Sequence, residues 1–171
     1  MIELERTFLA KHLPEGFEKL PNKEVIDIYH PKEADHPVLR LRKDGDKYEL
    51  TKKSPVRSGD ASDQREQTIT LTKEEFRKLS QLEGKRVEKV RYYYDYNGRK
   101  AEIDVFKGAL EGLVLVDFEF TTHEEKDSFE MPEFCLADVT HEVFIAGGML
   151  CGKKFADIEA KLGEFGYQKP L

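Results

Sequence analysis

Only two of the 171 residues are cysteine, Cys135 and Cys151. Two thiols are too few for a disulfide framework or a thiolate zinc site, so both are read as buried or partly buried side chains without a functional role. Histidine does not supply a zinc site either. His12, His30, His36, His123 and His141 fall in turn-like or loop-like segments without zinc-site spacing, and surface positions are expected for them. No apolar run is long enough to span a bilayer, and the first residues alternate polar with apolar where a secretory leader would run from basic to apolar. A soluble, cytoplasmic protein is expected. A basic excess is missing as well. The formal net charge is -6, which argues against a general nucleic-acid-binding surface and requires any anion site to be a local basic concentration. Repeats, low-complexity tracts and domain linkers are absent from the sequence, and a chain of this length is expected to form one domain, residues 1–171.

What the chain does have is alternation. Residues near 2–9, 23–30, 37–43, 46–53, 64–71, 87–96, 100–106 and 112–120 all carry the period of two that marks β-strands. Asn97-Gly98, between YYYDY and KAEIDVF, is the dipeptide that most favours a two-residue hairpin turn, and Lys43 to Asp46 forms a similar, looser one. Capping boxes at Thr72/Glu75 and Thr122/Glu125 start two short helices. Phe155, Ile158 and Leu162 recur at helical spacing, predicting a C-terminal helix whose apolar stripe packs on the sheet. Pro14 to Pro21 and Pro55 to Asp63 read as loops. The expected class is α+β, mainly antiparallel β.

The polar faces of these strands carry charges in sets. Arg40 and Arg42 share a face, as do Lys89 and Arg91, while Glu49, Thr51 and Lys53 share another. Acids recur likewise as Glu3 with Glu5, Glu102 with Asp104, and Asp117 with Glu119, and Glu66 shares its face with Thr68. An ordinary sheet with one solvated face accounts for any single pair, its cross-strand ion pairs contributing roughly a few tenths of a kcal/mol each. A closed eight-stranded β-barrel with the charges inside and helices packed outside gives the whole set a use. Arg and Lys hold a polyanion on one wall, and clustered carboxylates hold a hard divalent cation on the other. Those are the requirements of a metal-bound polyphosphate.

The order of these motifs resembles the CYTH superfamily of triphosphate tunnel metalloenzymes, and among them the small bacterial inorganic triphosphatases. ELERT at Glu3 to Thr7 matches the opening Glu-x-Glu-x-Lys signature, RLR at Arg40 to Arg42 the Arg-x-Arg, and Lys53 in YELTKKS the strand-borne lysine. QREQT with Glu66, GKRVEKVRY with Lys89 and Arg91, AEIDVF with Glu102 and Asp104, and LVLVDFEF with Asp117 and Glu119 follow in the family's order, with a remnant at Asp138 to Thr140. The chain departs from the pattern at Thr7, where lysine is usual, at Thr68, where a second glutamate is common, and in HEVFIAGGMLCGKK after Thr140.

The resemblance implies hydrolysis of inorganic triphosphate, or of a nucleoside or other organic triphosphate, assisted by Mg²⁺ or Mn²⁺. Arg40, Arg42, Lys53, Lys89 and Arg91 would hold phosphate oxygens, and Glu3, Glu5, Glu66, Asp117 and Glu119 the metal. Glu102 and Asp104 would serve as metal ligands or as partners orienting the basic residues, with Thr7 beside them. Lys53, if flanked by cations and screened from water, would lose affinity for its proton and could activate water; plain phosphate binding is the other reading of it. The implied partner is a small triphosphate-bearing molecule, without nucleic acid or membrane, and a homodimer stays open. Two alternatives remain: a class IV adenylyl cyclase making cyclic AMP from ATP, for which nothing selects a base-binding pocket, and a non-catalytic polyphosphate- or nucleotide-binding barrel.

Overall fold

The computed structural model describes residues 2–57 and 61–171. Its strands are β1 (Ile2–Ala10), β2 (Asn22–His30), β3 (Leu39–Asp44), β4 (Lys47–Pro55), β5 (Asp63–Thr70), β6 (Lys85–Tyr96), β7 (Arg99–Phe106), β8 (Val114–Phe120) and β9 (Cys135–Asp138). The helices are α1 (Lys73–Leu79), α2 (His123–Ser128), α3 (Gly147–Leu150) and α4 (Phe155–Glu164). Every ladder is antiparallel, in the order β5-β4-β3-β2-β6-β7-β8-β1-β9. The first half of β1 also pairs with β5, from Ile2↔Arg65 to Leu4↔Asp63, and this seam closes eight strands into the expected barrel. The second half of β1 pairs with the four-residue β9, an added strand that the sequence pattern did not announce.

Local chemistry sets the connections. Asn97 and Gly98 take φ of 53° and 80°, the left-handed pair that a tight hairpin between β6 and β7 needs. Thr72 and Glu75 form the full capping box of α1, and Phe76 lays that helix against Tyr48 on the outside of β4, ring centroids 5.1 Å apart. At α2 the box is only half built: Thr122 accepts from the Glu125 amide, while the Glu125 carboxylate reaches back one residue further, to the Thr121 amide. His30 is the half-buried last residue of β2 and His123 opens α2, so these two lie on elements where loops were expected. The expected loop from Pro55 to Asp63 includes residues 58–60, which lie outside the described residues.

Two apolar cores flank the barrel, and neither is its centre. One covers the outside of β1, β7 and β8: Leu4, Phe8, Ile103, Val116 and Phe118 sit beneath the chain around Phe17 and Phe134. The other closes one end. Leu9, Tyr29, Val87, Phe106 and Leu115, the inward-facing residues of five strands at that end, pack against Phe144, Ile145, Leu150, Ile158 and Leu162. The segment after Thr140 and α4 therefore form a cap over the barrel's end, where sequence reading expected α4 to lie on the sheet. Both cysteines are free and buried, and burial pushes Cys135 up to about 12 and Cys151 to about 11.

Candidate active site

Because side chains alternate along a strand, burying Val116 and Phe118 outside sends Asp117 and Glu119 inward, and the ladder registers carry that choice round the barrel. Glu5 lies opposite Glu119, Thr7 opposite Asp117, Asp117 opposite Glu102, Asp104 opposite Arg91, Arg42 opposite Asp27 and Lys53 opposite Glu66. The charged strand-face residues singled out between Glu3 and Glu119 converge on one lumen, with Thr7 beside them, whereas Asp138 of the motif remnant pairs with Arg6 on the outside.

The basic residues are held by carboxylates. Arg91 Nε and Nη2 both donate to Asp104 at 2.7 Å, Nη1 donates to Glu102, and Nη2 lies 3.7 Å from Asp117. Lys89 also donates to Asp104. Arg42 grips Asp27 with two bonds, of 2.6 and 2.7 Å. Asp27 was missed in the sequence, where a lone acid between Ile26 and Ile28 shows no polar pair; the available signal was that a charge flanked by apolar residues on a strand needs a partner across it. Arg40 differs from the others. Its Nε is buried, 3.9 Å from Asp27 Oδ1, with no hydrogen-bond partner among the described residues.

On the opposite wall Lys53 donates to Glu3, and its Nζ lies 3.5 Å from Glu5 and 3.6 Å from Glu66. The two departures from the motif both serve carboxylates. Thr7 Oγ1 donates to Asp117 at 2.7 Å, and Thr68 Oγ1 donates to Glu66 at 2.7 Å while lying 2.9 Å from Thr51 Oγ1. Glu119 is exposed at the rim.

A family model described as the CYTH domain matches residues 1–137. The chain belongs to the CYTH domain family. Among curated proteins it is 35% identical over 144 residues to the inorganic triphosphatase of Nitrosomonas europaea, spanning 83% of this chain and 91% of that one. The crystal structure of an inorganic triphosphatase superposes with a TM-score of 0.63 at 30% identity, over 87% of this chain and 93% of that one. A Bacillus halodurans structure named only as a candidate adenylate cyclase shares the fold, with a TM-score of 0.52 at 17% identity over 98% of this chain and 91% of the other.

Electrostatics divide this CYTH lumen into a compensated and an uncompensated side. Burial alone would raise Asp27 and Asp104, but Arg42 on the first and Arg91 with Lys89 on the second outweigh it and hold both carboxyls well below the usual range. Burial lowers Lys89, with the Arg91 and Arg42 charges adding to the fall against the pull of Asp104. Across the lumen, burial pushes Glu5 up to about 7, helped by Glu3 and Asp117 and opposed by Lys53. Asp117 is raised by burial and by Asp104, and Glu119 by burial and by Glu102 and Glu3. Lys53 does not meet the expectation of a lysine that gives up its proton easily. Burial lowers it, but Glu5 and Glu3 outweigh that and raise it, so the cation-flanked lysine of this lumen is Lys89.

Proposed function

We propose that residues 1–171 form a single triphosphate tunnel domain that hydrolyses inorganic triphosphate to pyrophosphate and orthophosphate with Mg²⁺ or Mn²⁺, as a cytoplasmic enzyme. The observation that carries this reading is Arg40 Nε: a buried donor with no described acceptor, on the same lumen wall as three further cations, calls for an anionic acceptor inside the barrel. The names support the same substrate, since the curated relative and the solved structure are both called inorganic triphosphatase. Phosphoryl transfer asks the protein mainly for positioning and charge neutralisation, which such a lumen can provide.

In this reading Arg40, Arg42, Lys89 and Arg91 hold phosphate oxygens, and the buried carboxylates of Asp27 and Asp104 orient them. Glu3, Glu5, Glu66, Asp117 and Glu119 are the metal side. They offer oxygen donors only, which suits a hard dication, and the raised Glu5, Asp117 and Glu119 mark a wall short of positive charge. Glu3, Glu5 and Glu66, gathered around Lys53, and Asp117, held by Thr7, are the groups that would hold the metal. A bound dication supplies neutralisation of the phosphate oxygens. Thr7 and Thr68 fix the Asp117 and Glu66 carboxylates by hydrogen bonds. Lys53 keeps its proton and acts as a cation between the two walls rather than as a base.

The test is orthophosphate release from triphosphate, and product identification from ATP, with each metal and with excess chelator. Metal-dependent orthophosphate release is expected. Cyclic AMP from ATP would make the chain a cyclase, and tight binding without turnover would make it a binding barrel.

A further inference from the structure

Three side chains at the open end of the lumen take no part in that chemistry. Tyr93 follows Arg91 on the inner face of β6, and ammonium groups reach its ring from the strands on both sides. Lys23 of β2 places Nζ 5.6 Å from the ring centroid, and Lys100 of β7 places its own at 5.5 Å. Both distances fit cation–π contacts, which hold the two flexible side chains over the mouth. Each has a carboxylate in reach, Asp44 at 3.9 Å from Lys23 and Glu102 at 3.0 Å from Lys100, and Glu102 is shared with Arg91. Beyond Lys100 a cavity of about 430 Å³ opens between the β6–β7 turn at Asn97 and the end of β8 at Glu119 and Thr121.

The opposite end is closed by the apolar cap, so a linear substrate gripped by Arg40, Arg42, Lys89 and Arg91 extends its free end toward this mouth. We propose that Lys23, Tyr93 and Lys100 form an outer subsite for a fourth phosphate of a linear inorganic polyphosphate, and that they disfavour a nucleoside in the same place. The inference rests on reading the lumen as a polyphosphate site. A phosphate beside the ring gains a charge-assisted contact to the ammonium group on its side and the attraction of the other across the ring. A ribose and base have no charge to offer the ammonium groups, and the aromatic ring they could stack on is already engaged by both lysines.

The experiment compares triphosphate, tetraphosphate and ATP on the full chain. Calorimetric titration in excess chelator, where turnover is halted, gives affinities, and kcat/KM with Mg²⁺ gives specificity. Wild type is expected to bind tetraphosphate about tenfold more tightly than triphosphate or ATP, and Lys23→Gln combined with Lys100→Gln to bring the first two within about twofold of each other. Equal wild-type affinities for triphosphate and tetraphosphate, or a double variant that keeps the preference, would overturn the subsite. If triphosphate is not hydrolysed but the preference exists and is lost in the variant, the proposed activity fails and the subsite stands. Hydrolysis of triphosphate without any preference fails the subsite alone.

Discussion

Arg40 and Arg91 lie on the same wall, yet losing each should cost something different. Arg91 neutralises Asp104, which is 1% exposed, together with Glu102, so Arg91→Ala leaves a buried carboxylate with Lys89 as its remaining partner. Removing one partner of a buried pair destabilises by about 3–5 kcal/mol, and the residual Lys89 contact puts the expected loss at the low end. Arg40 makes a distant contact to Asp27, which keeps both bonds to Arg42, and a hydrogen bond to the neutral Tyr29 side chain. Arg40→Ala should therefore change stability by less than about 1 kcal/mol while weakening triphosphate binding by roughly 1.5–3 kcal/mol, the range for a hydrogen bond to a charged group. Denaturant unfolding and calorimetric titration of both variants separate the two effects. Thr7 is a comparable case. Sequence alone makes it a lysine position lacking its charge, but its hydroxyl is committed to Asp117, so Thr7→Val should lower metal affinity by about 10–100-fold through a loosened ligand, measured by metal titration. Thr7→Lys would set an ammonium against Asp117 and compete with the metal.

At the scale of elements, the eight barrel strands and their inward faces were legible because one charge pattern with a period of two repeats from strand to strand, and a tight turn signal at Asn97-Gly98 fixes one register outright. What escaped lacked a repeat to reveal it. The strand β9 is four residues long, and Asp27 is a lone acid within the apolar run from Val25 to Tyr29. The chain from Glu142 to Lys154 has no period at all, since it folds as a 3₁₀ turn and one turn of helix whose apolar residues plug a hole rather than line a face. That plug makes a stability prediction. Leu162 of α4 is 1% exposed and packs in the same core as Leu9 and Leu115, so Leu162→Ala should cost about 2–5 kcal/mol by removing buried atoms and leaving a cavity at the blind end. Tyr167 strengthens the same closure, donating to the Gly112 carbonyl and accepting from the Val114 amide, both at 2.8 Å. Denaturant titration of Leu162→Ala checks the magnitude, and a loss below about 1 kcal/mol would mean that the cap contributes little to the folded state.

Taken as a whole, the molecule places its apolar cores outside and at one end of the barrel, which leaves the lumen free to carry charge that the protein alone does not balance. This division predicts how stability depends on pH. Glu5 is raised from 4.5 to about 7, so between these values the native chain holds a proton that the unfolded chain has lost. Stability should therefore fall as pH rises through that window and level off above about 7, where the full cost of ionising Glu5 is present. The raised Asp117 and Glu119 act in the same direction. Asp27 and Asp104 have depressed values, so their contribution is complete above the ordinary carboxylate range of about 4 and is lost only in stronger acid. They add no slope between about pH 5 and 8, a range that covers most of the Glu5 window of about 4.5–7. A divalent cation favours the ionised carboxylates and should flatten the profile. Metal-free protein is expected to melt at a higher temperature at pH 5 than at pH 8, saturating Mg²⁺ to raise the melting temperature more at pH 8, and Glu5→Gln to weaken both effects. Thermal melts of the two proteins at both pH values, with and without metal, decide the matter, because the same slope in wild type and Glu5→Gln would place the unbalanced charge somewhere other than the wall that this reading gives to the metal.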